Sequence, residues 1–169
     1  MGSPSGKPAT FDAYYLADFR SLTWFAIRIG ASSVDEAEDL VQDVMRTVLN
    51  QWAQIEAPHA YARAAVRREI CRVRTRTTRR HDAEVRAAAQ TLQQRSPFDE
   101  DTTTVLAMLR TLPPAQRAVL ALTTDGYEPG EIAEITGQNT ATVRSNLRHA
   151  RQNLKRLMAD TAGREFDGP

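Results

Sequence analysis

Arg144, Ser145, Asn146, Arg148, His149, Arg151 and Lys155 crowd one short stretch of the chain. Each side chain carries donors that reach base edges or phosphate oxygens, so the stretch suits binding to duplex nucleic acid rather than making or breaking a bond. A second cationic run, Arg67, Arg68, Arg72, Arg74, Arg76, Arg79 and Arg80, is opposed locally by Glu69. It lies near Trp52 and Tyr61, and charge beside aromatic rings suits single-stranded or distorted nucleic acid. The bland alternative is a snorkelling arginine surface over a core helix. A third group is acidic: Asp35, Glu36, Glu38, Asp39 and Asp43. Taken alone, its residues favour capping and solvation of a helix start over a docking face for a basic partner. Asp35, Asp39 and Asp43 on one helical row could also bind Mg²⁺, but no second ligand cluster or poised base accompanies them, so an enzyme is the weakest reading. Cys71 is the sole cysteine and reads as a small buried hydrophobe; His59, His81 and His149 are scattered, so neither a disulfide nor a zinc site is expected.

The elements that must hold the first group are well punctuated. Pro113 and Pro114 open a helix whose apolar side is Val119, Leu120 and Leu122, and Gly126 stops it. A short helix from Pro129 to Thr136 carries Ile132, Ala133 and Ile135. Gly137 supplies the turn and Asn139 the N-cap of a last helix. Val143, Leu147, Ala150, Leu154 and Leu157 alternate four and three apart and form its buried stripe, leaving the cationic residues outside. A short helix, a glycine turn and a basic helix form the helix-turn-helix geometry that lays a recognition helix in the major groove.

Upstream, residues 1–10 are small and polar and are expected to be disordered. From Phe11 to a stop at Gly30, Tyr14 or Tyr15 with Leu16, Phe19, Leu22, Phe25, Ala26 and Ile29 form one broad apolar face. Ser33-Val34-Asp35-Glu36 is a capping box that starts a helix running to about Asn50, with Val34, Ala37, Leu40, Val41, Val44, Met45, Val48 and Leu49 inward. Pro58 opens another, over about His59 to Arg74, with Ala62, Val66, Ile70 and Val73 inward. From His81 to Asp101 the rhythm fades, with at most a weak helix in VRAAAQTLQQ, and this segment reads as a linker. Thr102 starts a second domain with Val105, Leu106 and Leu109 apolar, and residues 159–169 read as a tail. Basic and acidic residues nearly cancel, 22 against 21, so distribution and not net charge carries information: opposite poles suggest two different partners. No run approaches the ~20 apolar residues of a membrane span, and the chain reads as a soluble, cytoplasmic protein of a reducing compartment.

Two separate segments resemble one family. AEDLVQDV at 37–44 and EAPHAYARAAVRREI at 56–70, with LPPAQRAVLAL and GYEPGEIAEITGQNTATVRSNLRHAR further on, resemble a bacterial RNA polymerase sigma factor of the extracytoplasmic-function (ECF) type, sigma-70 family group 4. The likeness covers about 11–80 and 102–157, in the family's order and spacing. It implies an all-α fold of two small helical domains: sigma region 2 over 11–80, a flexible linker over 81–101, and the region 4 helix-turn-helix over 102–158. It also reverses the weighing of the acidic helix, since Asp39, Gln42, Asp43 and Arg46 then dock on the β′ clamp helices of core polymerase, while the second domain meets the β flap. The loop from Trp52, with Gln54, Ile55 and Glu56, would capture a base turned out of the −10 element. His59, Tyr61, Arg63, Arg67, Arg68 and Arg74 would hold the opened strand. Asn139, Thr140, Thr142, Arg144, Ser145, Asn146, Arg148 and His149 would read the −35 duplex, and Arg151 would hold its backbone. The family often has Asn where Arg68 stands and a basic residue where Asn146 stands, so both base preferences are expected to be shifted. No cofactor is implied, and an anti-sigma factor is a possible further partner. The competing reading is an autonomous helix-turn-helix regulator, which would need a dimer to match half-sites.

Overall fold

A computed structural model of the chain describes residues 6–78 and 98–165. Within them lie seven helices and no strand: α1 (Phe11–Ile29), α2 (Val34–Asn50), α3 (Pro58–Thr78), α4 (Glu100–Thr111), α5 (Pro114–Thr124), α6 (Pro129–Thr136) and α7 (Thr140–Glu165). Residues 81–97, most of the expected linker, fall outside the described residues. Phe98 does not behave as linker, because its ring stacks 4.9 Å from Trp24, and Asp99 caps α4 by accepting from the Thr102 amide at 2.7 Å. No described helix is long and apolar enough to cross a membrane.

Local signals explain the boundaries. Thr10 accepts from the Ala13 amide to start α1. Gly30 ends it at φ 128°, and an added Cβ would meet Arg74 Nη1 at 2.9 Å and Arg117 Nη1 at 3.0 Å. Ser33 caps α2 by accepting from Glu36 N at 3.1 Å. The reciprocal half of the expected box is displaced by one residue, since the Glu36 carboxylate accepts from the amide and hydroxyl of Ser32. Glu131 turns back to accept from the Glu128 amide at 2.7 Å at the head of α6. Gly137 closes α6 in the left-handed region at φ 67°, and Asn139 Oδ1 accepts from Thr142 N at 2.8 Å to open α7.

α1 is the central element. It packs on α2 and α3 of its own half and on α4 and α5 of the second, while α3 also touches α6. One continuous buried cluster therefore runs from Tyr14, Leu22, Phe25, Val41 and Val66 to Val119, Leu122, Ile132 and Val143. Between the alternatives at the start of α1, Tyr14 is fully buried and Tyr15 is exposed. Four expected core residues face outward instead: Leu16 (82% exposed), Leu49, Val73 and Val105. Leu49 and Val105 lie about 100° round their helices from the inward Val48 and Leu106, Leu16 stands about 160° round α1 from Tyr14, and Val73 follows the inward row of α3 toward the end of that helix. Cys71 is also exposed, not buried, because it follows the inward Ile70 by one residue and so points about 100° away around α3.

Candidate nucleic-acid interface

The cationic face of α7 stands clear of the fold. Val143 and Ala150 are fully buried and Leu147 is half-buried, fixing the rotation of the helix about its axis. That rotation leaves Asn139, Thr142, Arg144, Arg148, His149 and Arg151 exposed, with Thr140, Ser145 and Asn146 half-buried at the edge. Among the described residues no carboxylate pairs with Arg144, Arg148 or Arg151. Asn146 Nδ2 donates to Gln138 Oε1 at 3.3 Å, tying the recognition helix to the turn that precedes it. This face can meet phosphates and base edges as a unit.

The first half divides its expected residues. Asp39, Gln42, Asp43 and Arg46 share the outer side of α2, all exposed, with Arg46 paired to Asp43 at 2.9 Å. Asp35 and Asp43 lie eight residues apart, about 12 Å along the helix axis, too far to share one ion. Among the described residues no group of three potential ligands could hold a metal. Arg68 and Tyr61 line a groove of about 410 Å³ between α2 and α3, with Asp43, Glu69 and Arg72 on its walls. Gln54, Glu56, Arg68 and Arg74 are exposed and Arg67 is half-buried. Trp52 is already stacked, 5.5 Å from Tyr14 and 5.7 Å from Phe11, with Lys7 Nζ 5.0 Å over its ring. Ile55 and His59 are buried, and the Tyr61 hydroxyl donates to Gln51 Oε1.

Arg63 is the correction. Expected on the strand-binding surface, it is 1% exposed, the largest fully buried side chain of the described residues. Its Nη1 donates to both Asp18 oxygens at 3.1–3.2 Å, its Nη2 to Ser21 Oγ at 2.9 Å, and its Nε to Asp125 Oδ2 at 3.1 Å. Its guanidinium also lies 5.3 Å from the Tyr127 ring centroid. Asp125 in turn pairs with Arg28, and Asp18 lies 3.1 Å from His59 Nδ1. Burial alone would raise the Asp18 pKa; His59 and Arg63 outweigh it and hold the carboxyl below its ordinary value. Burial also pushes the Tyr127 phenol up to about 12. The physical reason for the misplacement is that a side chain carrying charge stays inside when each of its donors finds an acceptor there.

Asp18, Arg28 and Asp125 were not among the expected functional residues. A signal for Asp18 existed: it stands four residues after Tyr14 and four before Leu22, on the inward row of α1, where an acid needs a partner. Arg117 is a second buried cation, donating to Leu112 O at 2.9 Å, Arg110 O at 3.0 Å and Ile29 O at 3.5 Å. Burial and the nearby Arg74 and Arg110 push its pKa down to about 10.

The described residues are thus all-helical outside their turns and loops, and their second half presents a helix-turn-helix with an exposed cationic face. Residues 103–154 match the family model described as Sigma-70, region 4, and this segment carries that region. No curated protein sequence matches the chain. The fold resembles a chain of the co-crystal structure of the sigma factor RpoE in complex with the anti-sigma factor NepR from Bartonella quintana. The TM-score is 0.70 at 23% identity, over 88% of this chain and 96% of that one. It also resembles a chain in the co-crystal structure of the anti-anti-sigma factor PhyR complexed with the anti-sigma factor NepR, also from Bartonella quintana. There the TM-score is 0.54 at 14% identity, over 88% of this chain and 50% of that one. Both likenesses extend the shared fold beyond the matched segment into the first half.

Proposed function

We propose that the protein is an alternative sigma factor of the ECF type. It binds core RNA polymerase, recognises −35 and −10 promoter elements and initiates DNA-templated transcription. The single observation that carries this reading is the sigma-70 region 4 match over residues 103–154, which falls on a helix-turn-helix whose cationic face is exposed. The fold shared with a sigma factor across 88% of the chain supports extending it to the first half. On this reading residues 11–80 form region 2 and 102–158 form region 4. Asp39, Gln42, Asp43 and Arg46 dock on the β′ clamp helices. Arg144, Ser145, Asn146 and Arg148 read the −35 duplex while Arg151 grips its backbone. Arg67, Arg68 and Arg74, beside the α2–α3 groove, take the opened −10 strand. The protein has no chemistry of its own; bond formation belongs to the polymerase. It works in the cytoplasm, and an anti-sigma factor is a partner of the class seen with RpoE.

The test is run-off transcription with purified core polymerase on a library of promoter fragments. Start sites should appear only with the protein present. The double reversal Asp39→Lys with Asp43→Lys should abolish them while leaving the circular-dichroism spectrum unchanged. Tight binding to duplex DNA with no core binding and no transcripts would replace this reading with an autonomous regulator.

A further inference from the structure

α7 and its N-cap carry an asparagine at every seventh position: Asn139, Asn146 and Asn153. Seven residues turn an α-helix through nearly two whole turns, so successive members drift by only about 20° and form one row. Each side chain of the row bonds to a different place. Asn139 Oδ1 accepts from the Thr142 amide at 2.8 Å, Asn146 Nδ2 donates to Gln138 Oε1 at 3.3 Å, and Asn153 Nδ2 donates to Gln116 Oε1 at 3.0 Å. Gln138 belongs to the turn before α7 and Gln116 to the first turn of α5, so two amide pairs tie α7 to the segments beside it.

The row stands on a flank of α7, away from the reading side. At about 100° per residue, Asn146 lies about 60° round the axis from the fully buried Val143. Arg144 and Arg148 lie beyond the opposite flank, each about 160° from Asn146. Both arginines are exposed, whereas Asn146 is half-buried. A helix laid in a groove with Arg144 and Arg148 against the bases therefore turns Asn146 back toward the fold, where its partner is Gln138. Apolar packing is non-directional and lets a helix roll or slide slightly on its neighbours. A hydrogen bond demands both distance and angle, so an amide pair removes that freedom. Base reading needs side chains held within about 0.5 Å and 10–20° of their productive geometry.

We propose that Gln138 is a positioning residue for base reading, that it sets the roll and register of α7 through Asn146, and that Asn146 itself reads no base. The proposal rests on the promoter-binding reading and narrows it, leaving Arg144, Ser145 and Arg148 as the base-reading side chains. The Gln116–Asn153 pair secures the same flank two turns further along. Asn and Gln differ by one methylene, so exchanging them between positions 138 and 146 keeps both amides and the combined reach of the pair.

Run-off transcription by core polymerase loaded with the full chain tests this, on promoter fragments randomised across the −35 element and with the transcribed templates sequenced. Asn146→Ala and Gln138→Ala should each lower transcript yield about fivefold, the effect of one hydrogen bond, and leave the preference at every −35 position unchanged. The double alanine variant should lose no more than either single one. The exchanged pair, Gln138→Asn with Asn146→Gln, should recover most of the wild-type yield, and it decides the matter if an alanine variant does not fold. An exchanged pair as weak as the alanine variants would overturn the proposal. Loss of preference at one base pair in Asn146→Ala would make Asn146 a base reader and overturn it as well. So would losses that multiply in the double variant, or wild-type yield in both single ones. A wild type that gives no transcripts, or selects no −35 sequence, would overturn the promoter-binding reading itself, a result distinct from wild-type selection that the variants leave undisturbed.

Discussion

Single side chains decide where the charge of this protein is spent. Asp18 lies in an apolar helix face and survives there because Arg63 and His59 meet it. Removing one partner from a buried pair strands the other, at about 3–5 kcal/mol. Asp18→Asn should therefore lower the unfolding free energy by about 3 kcal/mol, read from urea titrations at pH 7. Because the folded Asp18 pKa lies below its ordinary value near 3.8, the stabilisation is fully present above that value. It is lost as pH falls through the lower folded value. The gap between wild type and variant should stay constant from pH 7 to about 5 and close below about 4; a constant gap at every pH would contradict the ion-pair account. At this scale the exposed positions of α2 and α7 were legible, because a polar residue on a helix's outer row stays polar and outside. Arg63 was not legible, since its partners stand 45 and 62 residues away in sequence.

At the scale of elements, punctuation governs. Thr10, Ser33, Asp99 and Asn139 each accept an amide three residues on, and Gly30 and Gly137 end helices at positive φ. These local signals put α1, α2, α5 and α6 close to where the residue pattern predicts them. α3 runs four residues past Arg74, to Thr78, because nothing in VRTRTT breaks a helix. The cap of α7 is testable. Asn139→Ala should cost about 1 kcal/mol and lower the melting temperature by roughly 3 °C, while Asn139→Ser restores most of it. Equal losses in both variants would show that the Asn139 amide is needed for something other than its cap. Element faces were less legible than element ends. Leu16, Leu49, Val73 and Val105 fit their apolar stripes yet face outward, because the width of a buried stripe depends on which neighbours arrive.

For the whole molecule, the balance of poles matters more than the near-zero net charge. If Arg144, Arg148 and Arg151 each meet a phosphate, the logarithm of affinity for −35 duplex should fall against log salt with a slope of about −3. Fluorescence anisotropy over a sodium chloride series measures it. Arg151→Ala should reduce the slope by about 1 and weaken all sequences alike, whereas Arg144→Ala should also relax base preference at one position. An unchanged slope in both would remove these arginines from the interface.

The sequence by itself determined the helical class, the cap and turn positions, the outward cationic side of α7 and the outward acidic side of α2. All of these depend on residues within one or two turns of each other, where side-chain spacing and backbone freedom settle the outcome. Only the tertiary structure decided that α1 serves both halves, that Trp52 stacks on Tyr14 and Phe11, and that Arg63 is sealed between Asp18 and Asp125. Those contacts join distant parts of the chain. A buried charge is stable only when its partners arrive, and their arrival depends on how the helices pack.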